Sequence, residues 1–209
     1  MNSEEALAQG VRQLGLDIPP ERQQKLLELL RLMAQWNRIY NLSAVRSELL
    51  AVSVHLLDSL AILSSLPEVP VLDVGSGAGF PGVPLAVARP QVEVTMIEAN
   101  GKKTAFVRHA IARLGLPNAK VVQERVERWN TQQFFPAIVS RAFAELRTFV
   151  ELAGHLLAPG GRMYAMKGRF DREEAASLPV AWTVREVARL DVPGLNAERH
   201  LVVIAPERT

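Results

Sequence analysis

The chain has 209 residues, 48% of them hydrophobic and 22% charged, with 24 Lys and Arg against 22 Asp and Glu. That suits one domain with a real core, and a net charge of +2 excludes a bulk polycation while leaving room for a local basic face. Cysteine is absent, which excludes disulfides, cysteine-ligated zinc, iron–sulfur clusters and a catalytic thiol.

Residues 1–10 lack the apolar core of a signal peptide, and no run of about 18 uninterrupted apolar residues follows. A cytoplasmic protein without membrane attachment is expected. Residues 1–66 read as a helical N-terminal extension packed on the remainder. Pro19 and Pro20 open a segment in which Leu26, Leu29, Leu30, Met33 and Trp36 recur at helical spacing. A second helical run, residues 47–63, carries Leu50, Val54, Leu57, Leu60 and Ile62.

From Val69 the pattern changes to strands alternating with helices. Strands are predicted at residues 69–74, 92–98, 119–122, 137–140 and 160–166. Helices open near Pro81 or Gly82, run over 102–114 and over about 145–157. Residues 182–190 and 200–205 have little helix between them and read as an antiparallel pair at the sheet edge. The expected core, residues 67–209, is therefore α/β, a mostly parallel seven-stranded sheet with helices on both faces.

The densest signal is Asp73-Val74-Gly75-Ser76-Gly77-Ala78-Gly79-Phe80-Pro81-Gly82, between the first strand and its helix. Ligands of such sheets bind beyond the carboxyl ends of the strands, where glycines let the backbone approach them. Gly77, Gly79 and Gly82 match a dinucleotide spacing, which alone is weak. The acids are more informative. Asp73 at the mouth would repel a pyrophosphate but suits an α-amino group. Glu98 ends the second strand, where an acid commonly holds ribose hydroxyls. S-adenosylmethionine, an amino acid joined to a nucleoside, satisfies both; NAD is the alternative, and a plain tight turn would need neither acid.

The acceptor is narrowed by what is missing. Pyrimidine C5 methylation and radical methylation both call on cysteine. Exocyclic-amine methylation often uses an Asn/Asp-Pro-Pro-aromatic segment after the fourth strand, where this chain has Ser140-Arg141-Ala142-Phe143. Ribose 2′-O-methylation often uses an Asp there; Lys167 would fit one lysine of that set. A guanine N7, with its own in-plane lone pair, needs alignment rather than a base. Arg141 and Lys167 are the expected positioning residues.

Residues 69–209 hold 18 Lys and Arg against 14 Asp and Glu, and residues 101–117 hold Lys102, Lys103, Arg108 and Arg113 with no acid. Phosphate binding, hence RNA, is expected at the active edge. Arg113, Arg128 and Arg147 read as ordinary solvated charges. His55 and Asp58, three apart on one helical face, lack the further ligands of a metal site, so no metal is expected. They are candidate substrate contacts. Trp36 and Trp129 read as packing in the core or cofactor pocket.

Taken together, Trp36-Asn37, Tyr40-Asn41-Leu42, His55-Leu56-Leu57-Asp58-Ser59, the segment from Asp73 to Gly82, Lys102-Lys103, Arg125-Val126-Glu127, Ser140-Arg141-Ala142, Lys167-Gly168 and Glu198-Arg199-His200 span nearly the whole chain. In these the chain resembles the bacterial small-subunit ribosomal RNA guanine-N7 methyltransferases, once called glucose-inhibited division protein B. The resemblance implies the class I S-adenosylmethionine-dependent methyltransferase fold, which is Rossmann-like. It implies S-adenosylmethionine as methyl donor, S-adenosylhomocysteine as product and a guanosine in the 530 loop of 16S rRNA as acceptor, in the 30S subunit or an assembly intermediate. It places Gly75, Phe80, Val126, Glu127 and Arg141 around the cofactor, with Glu98 and Ala99 on its nucleoside side. Lys102, Lys103, Arg141, Lys167 and Arg199 become candidate RNA contacts. Many relatives carry Asp in place of Glu98. Nothing demands a dimer, and a monomer is expected. Set against this are a nicotinamide-dependent oxidoreductase, a nucleoside-binding module without catalysis and a small-molecule methyltransferase.

Overall fold

The computed structural model describes residues 2–207 except Ala142 and Ala144. One sheet has the order β3-β2-β1-β4-β5-β7-β6. Its strands are β1 (Val71–Val74), β2 (Val94–Ile97), β3 (Ala119–Val122), β4 (Phe135–Ser140), β5 (Leu157–Lys167), β6 (Trp182–Arg189) and β7 (His200–Pro206). The first five are parallel. β7 runs antiparallel to both β5 and β6, between which it is inserted. The strand order reverses between β1 and β4, so a crevice opens beyond their carboxyl ends.

Side chains alternate across the sheet as strand geometry requires. Val71, Met96, Val139 and Met166 face a cluster that includes Leu7, Leu26, Leu56 and Phe106. Leu72, Val74, Ile97 and Ile138 face a second cluster with Phe149 and Val150. Asp73, two residues after Val71, shares its face, so its carboxylate points to the side carrying α5 (Gly82–Ala88) and α6 (Gly101–Leu114).

The N-terminal helices have local causes. α1 (Ser3–Gln13) opens on a capping box in which Asn2 and Glu5 bond each other's backbone N–H. α2 (Pro20–Tyr40) starts at a proline and stops at Asn41, which sits in the left-handed region at φ 38°. α3 (Glu48–Ala51) runs through a π-helical turn (Val52–Leu57) into α4 (Asp58–Leu60). Glu48–Ser65 has a mean hydropathy of 1.4, enough in length and composition to cross a membrane, but 67% of it is buried in the fold. It is a core helix, and its wide turn is the kind of irregularity often found at functional sites.

Several elements differ from expectation. α1 falls in the stretch expected to be helical, though without bounds of its own, and the short α8 (Arg172–Ala176) was not expected. The helix expected to reach residue 157 is α7 (Leu146–Ala153) followed by a 3-10 turn (Gly154–Leu156). β5 therefore begins at Leu157, earlier than expected, and absorbs Gly160 at φ 75° in a register shift against β4.

Arg89, just after α5, ties the two halves of this face together. Its guanidinium donates to the carbonyls of Leu63 and Leu66, both at 2.6 Å, and of Pro67 at 3.3 Å. These carbonyls lie at and just beyond a helix end, where few backbone donors remain, and Leu63 O also accepts from Leu66 N–H at 3.3 Å. Arg89→Met should lower stability by about 2–3 kcal/mol in urea unfolding, the loss of charged hydrogen bonds at a partly buried site. An unchanged midpoint would mean that water serves those carbonyls equally well.

Candidate active site

The loop after β1 winds through three left-handed glycines, Gly75 at φ 68°, Gly77 at φ 58° and Gly79 at φ 84°. The two later ones serve different ends. A Cβ on Gly79 would come within 2.7 Å of Val83 Cγ2, so this glycine lets the loop close onto α5. A Cβ on Gly77 would meet nothing within 4 Å, so this glycine leaves a cradle open.

Both acids grip the loop backbone. Asp73 Oδ2 accepts from Gly82 N–H at 2.8 Å. Glu98, immediately after β2, accepts from Gly77 N–H at 2.9 Å and from Asn100 N–H at 2.7 Å. Asp73 does not stand at the open mouth of the crevice as expected. It is fully buried, and its Oδ1 has no partner among the described residues. Burial pushes its pKa up to about 7, against the pull of the Gly82 N–H and Arg141, with Glu98 adding to the rise. Ser76 Oγ and His55 Nδ1 are likewise buried and unpartnered. Unsatisfied polar atoms at this depth are rare in a finished fold, and here they belong to the glycine loop and the residue stacked on its end. They fit a ligand with a cationic amino group and further hydrogen-bonding groups.

The π-helical turn brings His55 flat against Phe80, with ring centroids 4.9 Å apart. His55 Nε2 shares a hydrogen with Ser43 Oγ at 2.9 Å. Burial, helped by Arg141, lowers its pKa to about 4, so the imidazole is neutral at pH 7. Arg141, at the end of β4, lies over the other aromatic contact, 5.7 Å from the Phe80 centroid.

Asp58 is not an exposed substrate contact, contrary to expectation. Its side chain is 2% exposed, and both oxygens are taken. Oδ2 accepts from Arg141 Nη1 and Oδ1 from Arg199 Nε, each at 2.9 Å. Lys167 is also held, its Nζ 2.8 Å from Glu174 Oε1, while the same oxygen caps Leu146 N–H at the start of α7. Lys102 is exposed in the first turn of α6, its Nζ 5.8 Å from the Tyr40 ring centroid, and Lys103 beside it is half-buried. Val126 is buried beside Leu72 and Ile97, in a 3-10 turn (Val126–Arg128) after β3. Glu127 in that turn is exposed, 3.8 Å from Arg125, and Ala99 is exposed next to Glu98. Ala142 lies outside the described residues. The structure thus gathers Gly75, Ser76, Gly77, Phe80, Glu98, His55 and Arg141 around the loop, with Arg199 joined to them through Asp58.

The sequence alone missed Ser43, Val54 and Glu174. Ser43 carried no signal, because its contact with His55 spans a loop. Glu174 lies in a helix too short for periodicity to show.

A glycine cradle at the strand-order reversal, an acid closing β2 and an antiparallel strand slotted in before the edge define the class I methyltransferase fold. A solved S-adenosylmethionine-dependent methyltransferase from Geobacter sulfurreducens, in complex with S-adenosyl-L-homocysteine, has this fold at a TM-score of 0.53 and 12% identity, covering 85% of this chain and 98% of that one. Within that class the relatives are much nearer. Residues 22–202 match the family model described as rRNA small subunit methyltransferase G. The ribosomal RNA small subunit methyltransferase G of Azoarcus sp. is 48% identical, over 95% of this chain and 94% of its own length. That of Ralstonia nicotianae is 49% identical, over 96% and 94%. The chain belongs to the rRNA small subunit methyltransferase G family.

Proposed function

We propose that the protein transfers a methyl group from S-adenosylmethionine to N7 of a guanosine in the 530 loop of 16S rRNA, within the 30S subunit or an assembly intermediate. The observation that carries the cofactor assignment is the open cradle at Gly77 flanked by Glu98 and the unpartnered oxygen of Asp73. Family membership supports the RNA.

The sulfonium cofactor supplies an electrophilic methyl group. Asp73 Oδ1 would hold the cofactor's ammonium group, and Glu98 its ribose hydroxyls, with lone pairs left after bonding the loop. Val126, Ala99 and Glu127 would hold its adenine, and Phe80 its methionine end. On this reading N7 would take the methyl carbon in line as the sulfur–carbon bond breaks, with no proton moved, so no residue of this chain need act as a base. A neutral His55 suits such a step, since at pH 7 it lacks the acidic second proton of an imidazolium. Catalysis rests on alignment, to which Arg141 and Lys167 contribute by position.

The test is incubation with radiolabelled S-adenosylmethionine and small subunits lacking the modification, followed by digestion of the RNA. Label in 7-methylguanosine is expected. No label from a protein that binds S-adenosylhomocysteine would overturn the acceptor. Lys102→Glu combined with Lys103→Glu should weaken RNA binding by about tenfold or more in moderate salt, from lost phosphate contacts. Cofactor affinity should stay within about twofold, since neither side chain bonds the loop. RNA affinity that survives the double reversal would remove the start of α6 from the docking surface.

A further inference from the structure

Beside the cradle lies a second cleft of about 310 Å³, lined by Val54, Asp58, Arg141, Lys167, Gly168 and Arg199 among others. Two of its walls are guanidiniums only 26% and 24% exposed, converging on one buried carboxylate. The three residues come from distant parts of the chain, 83 and 141 positions apart, and the contacts are direct.

Donors are left over. A guanidinium has five N–H groups. Arg141 spends both hydrogens of Nη1, on Asp58 and on the carbonyl of Val54 at 2.9 Å. Its Nε and Nη2 have no partner among the described residues. Arg199 spends Nε on Asp58 and one Nη1 hydrogen on the carbonyl of Glu198 at 2.9 Å. Its Nη2 is also without a partner there. Asp58 thus fixes the orientation of both forks while leaving their outer donors facing the cleft. Such a fork pair matches the tetrahedral oxygens of a phosphate.

We propose that this cleft is a phosphate subsite for the target nucleotide, and that Asp58 is the positioning residue that presets its two arginines. The inference rests on the guanine-N7 reading, which also selects phosphate over base. The usual arginine contact with guanine is bidentate to O6 and N7. At this site it would occupy the lone pair that must face the methyl group. The arginines must therefore address another part of the nucleotide, and the anionic part is its phosphate. Arg141 touches both sites, since its guanidinium also lies over Phe80. One nucleotide can accordingly place its base at the cradle and its phosphate in the cleft. The other anion within reach is the carboxylate of the cofactor's amino-acid end.

The experiment uses the full chain saturated with S-adenosylhomocysteine and titrates guanosine 3′,5′-bisphosphate or guanosine at fixed ionic strength, following the arginine Nε–H resonances. The bisphosphate should bind about tenfold or more tightly than guanosine and shift the signals of both Arg141 and Arg199. Asp58→Asn, which cannot accept from both arginines as a carboxylate does, should reduce that preference to about twofold or less. Arg199→Gln, at a more exposed position, should do the same and covers the case in which Asp58→Asn does not fold. Equal affinity for the two ligands, no saturable bisphosphate binding, or a preference that persists in Arg199→Gln would overturn the proposal. So would an Arg199→Gln variant that loses S-adenosylhomocysteine affinity while keeping the bisphosphate preference, since the cleft would then hold the cofactor's carboxylate. Methyl transfer is not needed for this readout, so a chain that methylates subunits but shows no preference fails only this inference.

Discussion

S-adenosylmethionine affinity should rise as pH increases towards about 7, by up to tenfold per unit, and the slope should vanish in Asp73→Asn. The cause is the buried carboxyl of Asp73, which holds a proton below about 7 and must release it to face a cationic amino group. Above about 8 the amino group itself loses its proton, so the profile should turn down again. Calorimetry at several pH values, in buffers of different ionisation enthalpy, would count the proton released. At pH 7.5 the Asn variant should bind about 10–100-fold more weakly, as expected when a charged hydrogen bond is lost. A flat profile in the wild type would place Asp73 outside the cofactor's reach, with only its loop-holding bond to Gly82 left as a role.

The same group makes an opposite prediction for the cofactor-free protein. An acid whose folded pKa lies above its unfolded value binds more protons when folded. Its contribution to stability is complete below about 3.8 and is lost as pH rises to about 7. Asn keeps an acceptor for Gly82 N–H and carries no charge. Asp73→Asn should therefore raise the melting temperature at pH 8 more than at pH 5. The residue proposed to bind the ligand would then be one that the free fold carries at a cost.

Gly77→Ala should reduce cofactor affinity by about 10–100-fold while lowering stability by only about 1 kcal/mol, the strain of a left-handed alanine. Its Cβ touches no protein atom within 4 Å and would protrude into the cradle instead. Gly115, which ends α6 at φ 60°, supplies the control. A Cβ there also meets nothing within 4 Å, so Gly115→Ala should show the same strain with no change in binding. Equal binding losses in the two variants would mean that the effect is global softening rather than occupancy of the cradle.

What was legible in the sequence was local. Asp73, the spaced glycines and Glu98 lie within a single strand–loop–helix–strand stretch, and their chemistry follows from types and spacing. The antiparallel edge was legible because residues 182–205 leave little room for a crossover helix. α1 also carried a readable signal, Asn2 followed three residues later by Glu5, a capping box that the apolar pattern alone did not require. The role of Asp58 was not legible. Beside His55 on one helical face it reads as a candidate substrate contact, and its partners are revealed only when two arginines arrive from the end of β4 and from just before β7. The burial of Asp73 was equally hidden, since it depends on Gly82 and Met96 closing over it.

The insertion of β7 between β5 and β6 has a consequence for synthesis. A ribosome makes β6 before β7, so β6 emerges with no neighbour to pair with and must wait for the following strand. Arg199, immediately before β7, arrives at the same moment. Until then Asp58 holds one arginine instead of two, and the edge of the sheet is open. The residues of the glycine loop and Glu98 are thus made well before the second arginine of the cleft. The arginine pair proposed above as a phosphate subsite is therefore completed only when Arg199 and β7 have been made, among the last of the described residues.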